Sequence, residues 1–120
     1  METTFTQNMR VEEKHTASSL GSGSLLVFAT PALVAFMENT AMKMIQLPEG
    51  KTSVGTSIDV KHLKASPVGA EVSCTARLTK QEERKYTFEI EVLNEAGEIL
   101  GTAIHERFAV DSERFMSKLR

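Results

Sequence analysis

The stretch TPALVAFMENTAMKMIQ, residues 30–46, restricts the possible folds more than any other part of the chain. Ala32, Leu33, Phe36, Met37, Ala41, Met44 and Ile45 recur at helical spacing, which predicts one long helix. Thr30 stands where an N-cap belongs and Pro31 where a first helical residue belongs, while LPEG beyond supplies the Pro and Gly that stop a helix. Val34, Ala35 and Met42 fill the remaining faces, so the helix is apolar nearly all round and is expected to be buried. A buried helix needs something wrapped around it.

The rest of the chain supplies the wrapping. TSVGTSIDVKHLKAS alternates, with Val54, Ile58, Val60 and His62 on one face and Gly55, Asp59, Lys61 and Leu63 on the other. SPVG is a turn, and EVSCTARL alternates again through Val72, Cys74, Ala76 and Leu78. Charged KQEERK separates it from YTFEIEV, where Tyr86, Phe88, Ile90 and Val92 share a face. NEAG makes a hairpin turn into EILGTAIHERFAV, and Asp111 caps a short tail helix, SERFMSKLR. An earlier strand is expected within MRVEEKHTAS. Consecutive strands on short turns make an antiparallel sheet, so the class is α+β, with about five strands curled around a central helix: the hotdog architecture.

Composition narrows the function. At 120 residues the chain has the size of one domain, read here as 1–120, with a modest core that leaves large interfaces to oligomerisation. A net charge of −2, with Lys and Arg scattered, offers no basic field for nucleic acid. Cys74 is the one cysteine, which rules out an intrachain disulfide and zinc-finger spacing. The start METTFTQNMRVEEKH does not read as a signal peptide, and no stretch approaches the ~20 apolar residues of a membrane helix. A cytoplasmic protein with no membrane partner is the expectation.

Three runs, VFATPALVAFMENTA, SVGTSIDVKHLKASPVG and LGTAIHERFAV, resemble the signature stretches of the fluoroacetyl-CoA thioesterase family. The resemblance covers nearly the whole chain from Val11 onward. It implies hydrolysis of an acyl-CoA thioester to free acid and CoASH, with no metal or organic cofactor. It implies a catalytic set of Thr30, Glu38 and His62, with Gly55 beside the thioester and Arg107 binding substrate. Thr30 and Glu38 stand eight residues apart on one helix, a rise of ~12 Å and a rotation of ~80°. A homodimer that packs two such helices about a two-fold axis, or a tetramer, is therefore the expected assembly. One departure stands out: the fluoroacetate-specific enzyme has a lid built with phenylalanines, where SSLGSGSLLVF here has only Phe28. General short acyl-CoA hydrolysis is therefore the expected activity.

The residues also have readings of their own. Glu38, in the middle of an apolar helix, either lies on a wet stripe with Asn39 and Lys43 or aims a carboxylate into a cleft as base or nucleophile. His62 ends an inward strand face, as a core residue or as a proton carrier near neutral pH. Thr30 spends its hydroxyl on the helix cap or joins a site at the helix N-terminus. Gly55 weakens its strand, which points to close approach of another backbone or a ligand. Arg107 is a solvated strand charge or a contact for CoA. His15 and His105 are read as structural, Cys74 as core, and the methionines as packing. Pliable SSLGSGS, residues 18–24, is a connecting loop or a lid. Two rivals use similar residues: a hotdog dehydratase or hydratase, and a non-catalytic acyl-CoA binding module.

Overall fold

The computed structural model describes residues 3–120. Five antiparallel strands, β1 (Thr4–Arg10), β2 (Lys51–His62), β3 (Glu71–Glu82), β4 (Lys85–Asn94) and β5 (Ile99–Asp111), form one sheet in the order β1–β3–β4–β5–β2. A single turn of helix, α1 (Ala17–Leu20), precedes the long α2 (Thr30–Met44), and α3 (Ser112–Ser117) closes the chain. This is the expected α+β arrangement, and α2 lies against the inner face of the sheet.

Alternation makes that inner face. Val72, Cys74 and Ala76 of β3 and Tyr86, Phe88, Ile90 and Val92 of β4 are all buried, as their period-two spacing predicts. From α2 they meet Leu33, Phe36, Met37 and Ala41. The tail helix is capped as expected, with the Asp111 carboxylate accepting from the Arg114 N–H at 3.0 Å.

Several boundaries differ from the sequence reading. The first strand covers Thr4–Arg10 and shares only Met9 and Arg10 with MRVEEKHTAS, half of which forms a 3-10 turn (Glu13–His15) and the start of α1. β3 continues through Lys80–Glu82 because these pair with β4 across a tight turn. The turn residue Glu83 takes a positive φ of 55°. Nor is α2 covered all round, since Pro31, Ala35 and Met42 are exposed along one side. The N-cap is Ala29, with no side-chain cap bond, which makes Thr30 the first helical residue.

The most consequential difference is in β2. Its register slips between Gly55 and Ser57, where a bulge leaves Thr56 unpaired with β5. An extra residue reverses the alternation. Gly55 thereby pairs with inward Arg107, and Val54 pairs with Phe108 on the opposite face. The expected Val54–Ile58–Val60–His62 face is therefore broken: Ser53 and Gly55 face inward before the bulge, Ile58, Val60 and His62 after it.

Candidate active site

The five candidate residues fall into two groups. The first is a pair: Thr30 Oγ1 lies 2.7 Å from His62 Nδ1. Two elements set this distance. Thr30 begins α2, and with Ala29 as N-cap its hydroxyl is not used for capping. His62 ends β2, and its ring packs edge-on against Phe28 at 6.3 Å between centroids. Phe28 is itself buried, held by its N–H to the Ser66 carbonyl at 2.9 Å. His62 Nε2 is buried without a partner in good hydrogen-bonding geometry. Burial pushes the imidazole pKa below its ordinary value, with the Lys64 backbone pulling less strongly the other way. A hydroxyl on a largely neutral imidazole is a nucleophile–base arrangement.

A cleft of about 320 Å³ opens over this pair, bounded by Ser22, Val27, Phe28 and Leu63 among others. The pliable segment borders it. Gly21 ends α1 in the left-handed conformation, and Leu25 and Leu26 are exposed next to the cleft wall. Both flanks of the segment are anchored, by Ala17 N–H to the Val27 carbonyl at 2.9 Å and Ala29 N–H to the His15 carbonyl at 2.9 Å.

The second group surrounds Glu38. Its carboxylate turns away from Asn39 and Lys43, which bond instead to Gln7 of β1 at 3.0 Å each. One step of a helix rotates by ~100°, which is enough to separate the two directions. Glu38 faces Gly55: a β-carbon built there would stand 2.8 Å from Oε2. Arg107, buried at 7% exposure, is fixed by Nε to Ser53 Oγ at 2.9 Å and Nη2 to the Ser53 carbonyl at 3.0 Å. Burial lowers the guanidinium pKa and the Glu38 charge opposes that shift. Arg107 is thus not a solvated strand charge but a buried one tied to Ser53.

His105 belongs to this group, although its sequence setting pointed to a structural role. It is fully buried, with Nδ1 2.8 Å from the Ser57 carbonyl and Nε2 3.3 Å from Arg107 Nη1. A guanidinium can only donate, so Nε2 accepts and Nδ1–H donates to Ser57. Burial lowers its pKa first, and Arg107 adds to the effect. The ring therefore links the bulge in β2 to the guanidinium near Glu38. The available signal was the spacing His105-x-Arg107, which puts both side chains on one strand face. Cys74 is core, as expected, its thiol pushed up to about 11 by burial. Among the described residues no cluster of three metal-ligating side chains occurs.

A five-stranded antiparallel sheet curled around one long helix is the fold of the hotdog thioesterases. A family model described as fluoroacetyl-CoA-specific thioesterase matches residues 11–113. The fluoroacetyl-CoA thioesterase of Streptantibioticus cattleyicolor is 35% identical over 96 residues, 78% of this chain and 68% of that protein. A solved structure of the fluoroacetyl-CoA thioesterase FlK superposes with a TM-score of 0.93 at 29% identity, over 100% of this chain and 96% of that one. A second, of its F36A mutant with fluoroacetate and CoA, gives 0.89 at 29% identity, over 96% and 99%. This chain belongs to the fluoroacetyl-CoA-specific thioesterase family, and it is an acyl-CoA thioesterase.

Proposed function

We propose that the chain hydrolyses short acyl-CoA thioesters at two composite sites of a cytoplasmic homodimer, without metal or organic cofactor. The observation that carries this reading is the division of the candidate residues. Thr30 pairs with His62 at the end of β2, while Glu38, Gly55 and Arg107 gather beside its bulge. Thr30 and Glu38 are separated by eight residues, a rise of ~12 Å and a rotation of ~80° along α2. One thioester carbon does not easily meet both from a single chain. β2 is an edge strand with an unpaired side, and exposed Pro31, Ala35 and Met42 lie along α2. Antiparallel pairing of two β2 edges about a two-fold axis covers both features and brings Thr30–His62 of one protomer to Glu38–Gly55 of the other.

In this arrangement His62 Nδ1 takes the Thr30 hydroxyl proton as Oγ1 bonds to the thioester carbonyl carbon. The C–S bond then breaks, and the imidazolium returns the proton to the departing CoA thiolate. Glu38 takes a proton from water, whose oxygen displaces Oγ1 from the acyl carbon. Oγ1 recovers that proton, leaving free acid. The N-terminus of α2 and the backbone at the Gly55 bulge favour the negative charge that develops on the carbonyl oxygen.

A thiol-release screen across acyl-CoAs tests the reaction, since a dehydratase releases no thiol and a binding module turns nothing over. Mixing inactive Thr30→Ala chains with inactive Glu38→Gln chains tests the assembly. Mixed dimers should recover up to one working site each; no recovery despite proven subunit exchange would mean that each site is built within one chain. Acyl groups accumulating on Thr30 in Glu38→Gln would support the covalent step, and their absence would transfer the attack to water or Glu38.

A further inference from the structure

Four cations from separate parts of the chain meet at one end of the sheet. Beyond Arg107, β5 overruns the start of β4, whose first residue, Lys85, pairs with Phe108. Ala109 to Asp111 keep β2 on one side, through Ser53 to Lys51. On the other side Ala109 N–H reaches only the Arg84 carbonyl, at 2.9 Å. α3 then folds back from its Asp111 cap. The result is an open groove of about 920 Å³ that carries Lys51, Arg84, Arg114 and Lys118, with Phe115 alongside.

The charge there is unbalanced. Only Glu83 and Asp111 accompany the four cations in the groove, while the chain as a whole has a net charge of −2. Among the described residues, none of the four cations makes a salt bridge. Grouped, uncompensated cations attract a polyanion, and arginine guanidinium groups hold phosphate oxygens two at a time. The groove is confined to one end of a small domain, the scale of a single nucleotide and not of a duplex.

We infer that this groove binds the nucleotide end of coenzyme A, with its diphosphate and 3′-phosphate among the four cations and its adenine against Phe115. The inference rests on the thioesterase reading, which brings CoA to the chain. Its location fits: from Gly55 back to Lys51 is four residues of strand, about 13 Å, a stretch for the pantetheine arm to cross. The binding energy so gained acts away from the reacting carbon and anchors the substrate without altering the chemistry.

The test compares wild type with Arg114→Glu/Lys118→Glu and, on a different element, Arg84→Glu. CoA titration by calorimetry should show affinity at least 10-fold weaker in the groove variants. KM for acetyl-CoA should rise similarly with kcat unchanged, while turnover of S-acetylpantetheine, which lacks the nucleotide, should not move. Lys14→Glu/Lys80→Glu, the same change in charge elsewhere, should leave CoA affinity as it was. Unchanged CoA affinity in both groove variants, or an equal loss in the control, overturns the proposal. If wild type releases no thiol from any acyl-CoA the thioesterase reading falls, yet the CoA titration still decides the groove.

Discussion

Glu38 Oε2 occupies the space that a side chain on Gly55 would need, 2.8 Å from the position of a β-carbon. The carboxylate at the middle of α2 and the bulge in β2 are therefore fitted to each other. Gly55→Ala should displace Glu38 while leaving the fold intact, because the obstructed atom is the far end of a flexible side chain carried by α2. A misplacement of ~1 Å costs about 100-fold in rate, so kcat should fall by that order with the melting temperature nearly unchanged. Full activity in Gly55→Ala would separate Glu38 from the chemistry.

Removal of the proton carriers should be as costly. Glu38→Gln and His62→Ala are each expected to lower kcat/KM by at least ~100-fold, the usual scale of general acid–base catalysis, with folding preserved. Thr30→Ser keeps the hydroxyl beside His62 Nδ1 and should retain much of the activity lost in Thr30→Ala. Near wild-type turnover in any of Glu38→Gln, His62→Ala or Thr30→Ala would remove that residue from the catalytic set.

The pH profile follows from the burial of His62. Its pKa lies below the ordinary 6.5, so the neutral, proton-accepting form persists further into acid than for an exposed histidine. The acid limb of kcat/KM should have its midpoint below 6.5 and vanish in His62→Ala, where only residual turnover remains. A midpoint at or above 7 would contradict a desolvated base.

Arg107 and His105 should matter through position. Arg107→Lys keeps the charge but loses the two-point hold on Ser53, since an ammonium is not a rigid fork. We expect kcat to fall more than KM rises, because the guanidinium is held close enough to Glu38 for the two charges to influence each other. A pure KM effect would return Arg107 to substrate binding.

Selectivity should reflect the loop over the Thr30–His62 cleft, which has Ser22 and exposed Leu25 and Leu26 and no aromatic side chain before Phe28. Acetyl-CoA and fluoroacetyl-CoA should differ far less in kcat/KM here than in the fluoroacetate-specific enzyme, as one competition assay would show. Strong preference for the fluorinated substrate would mean that aromatic residues in the loop are not what confers it.

Local pattern alone specified a great deal of this protein. The helix over Thr30–Met44, the inward faces of β3 and β4 and the Asp111 cap follow from periodicity and capping, which depend on neighbours in sequence. Glu38 and His62 were legible as polar residues in apolar settings, and the family resemblance singled out Thr30, Gly55 and Arg107. Pairing across the sheet decided the rest. The bulge at Thr56, which turns Gly55 inward and Val54 away, arises from register against β5 and leaves no mark in the alternation of β2 itself. Arg107 became a buried neighbour of Glu38, and His105 its support, only when β2 and β5 lay side by side. Lys51, Arg84, Arg114 and Lys118 look scattered along the chain and become one charged groove where strand ends and the tail helix converge. Charge acts through space, so its grouping is settled by the tertiary fold.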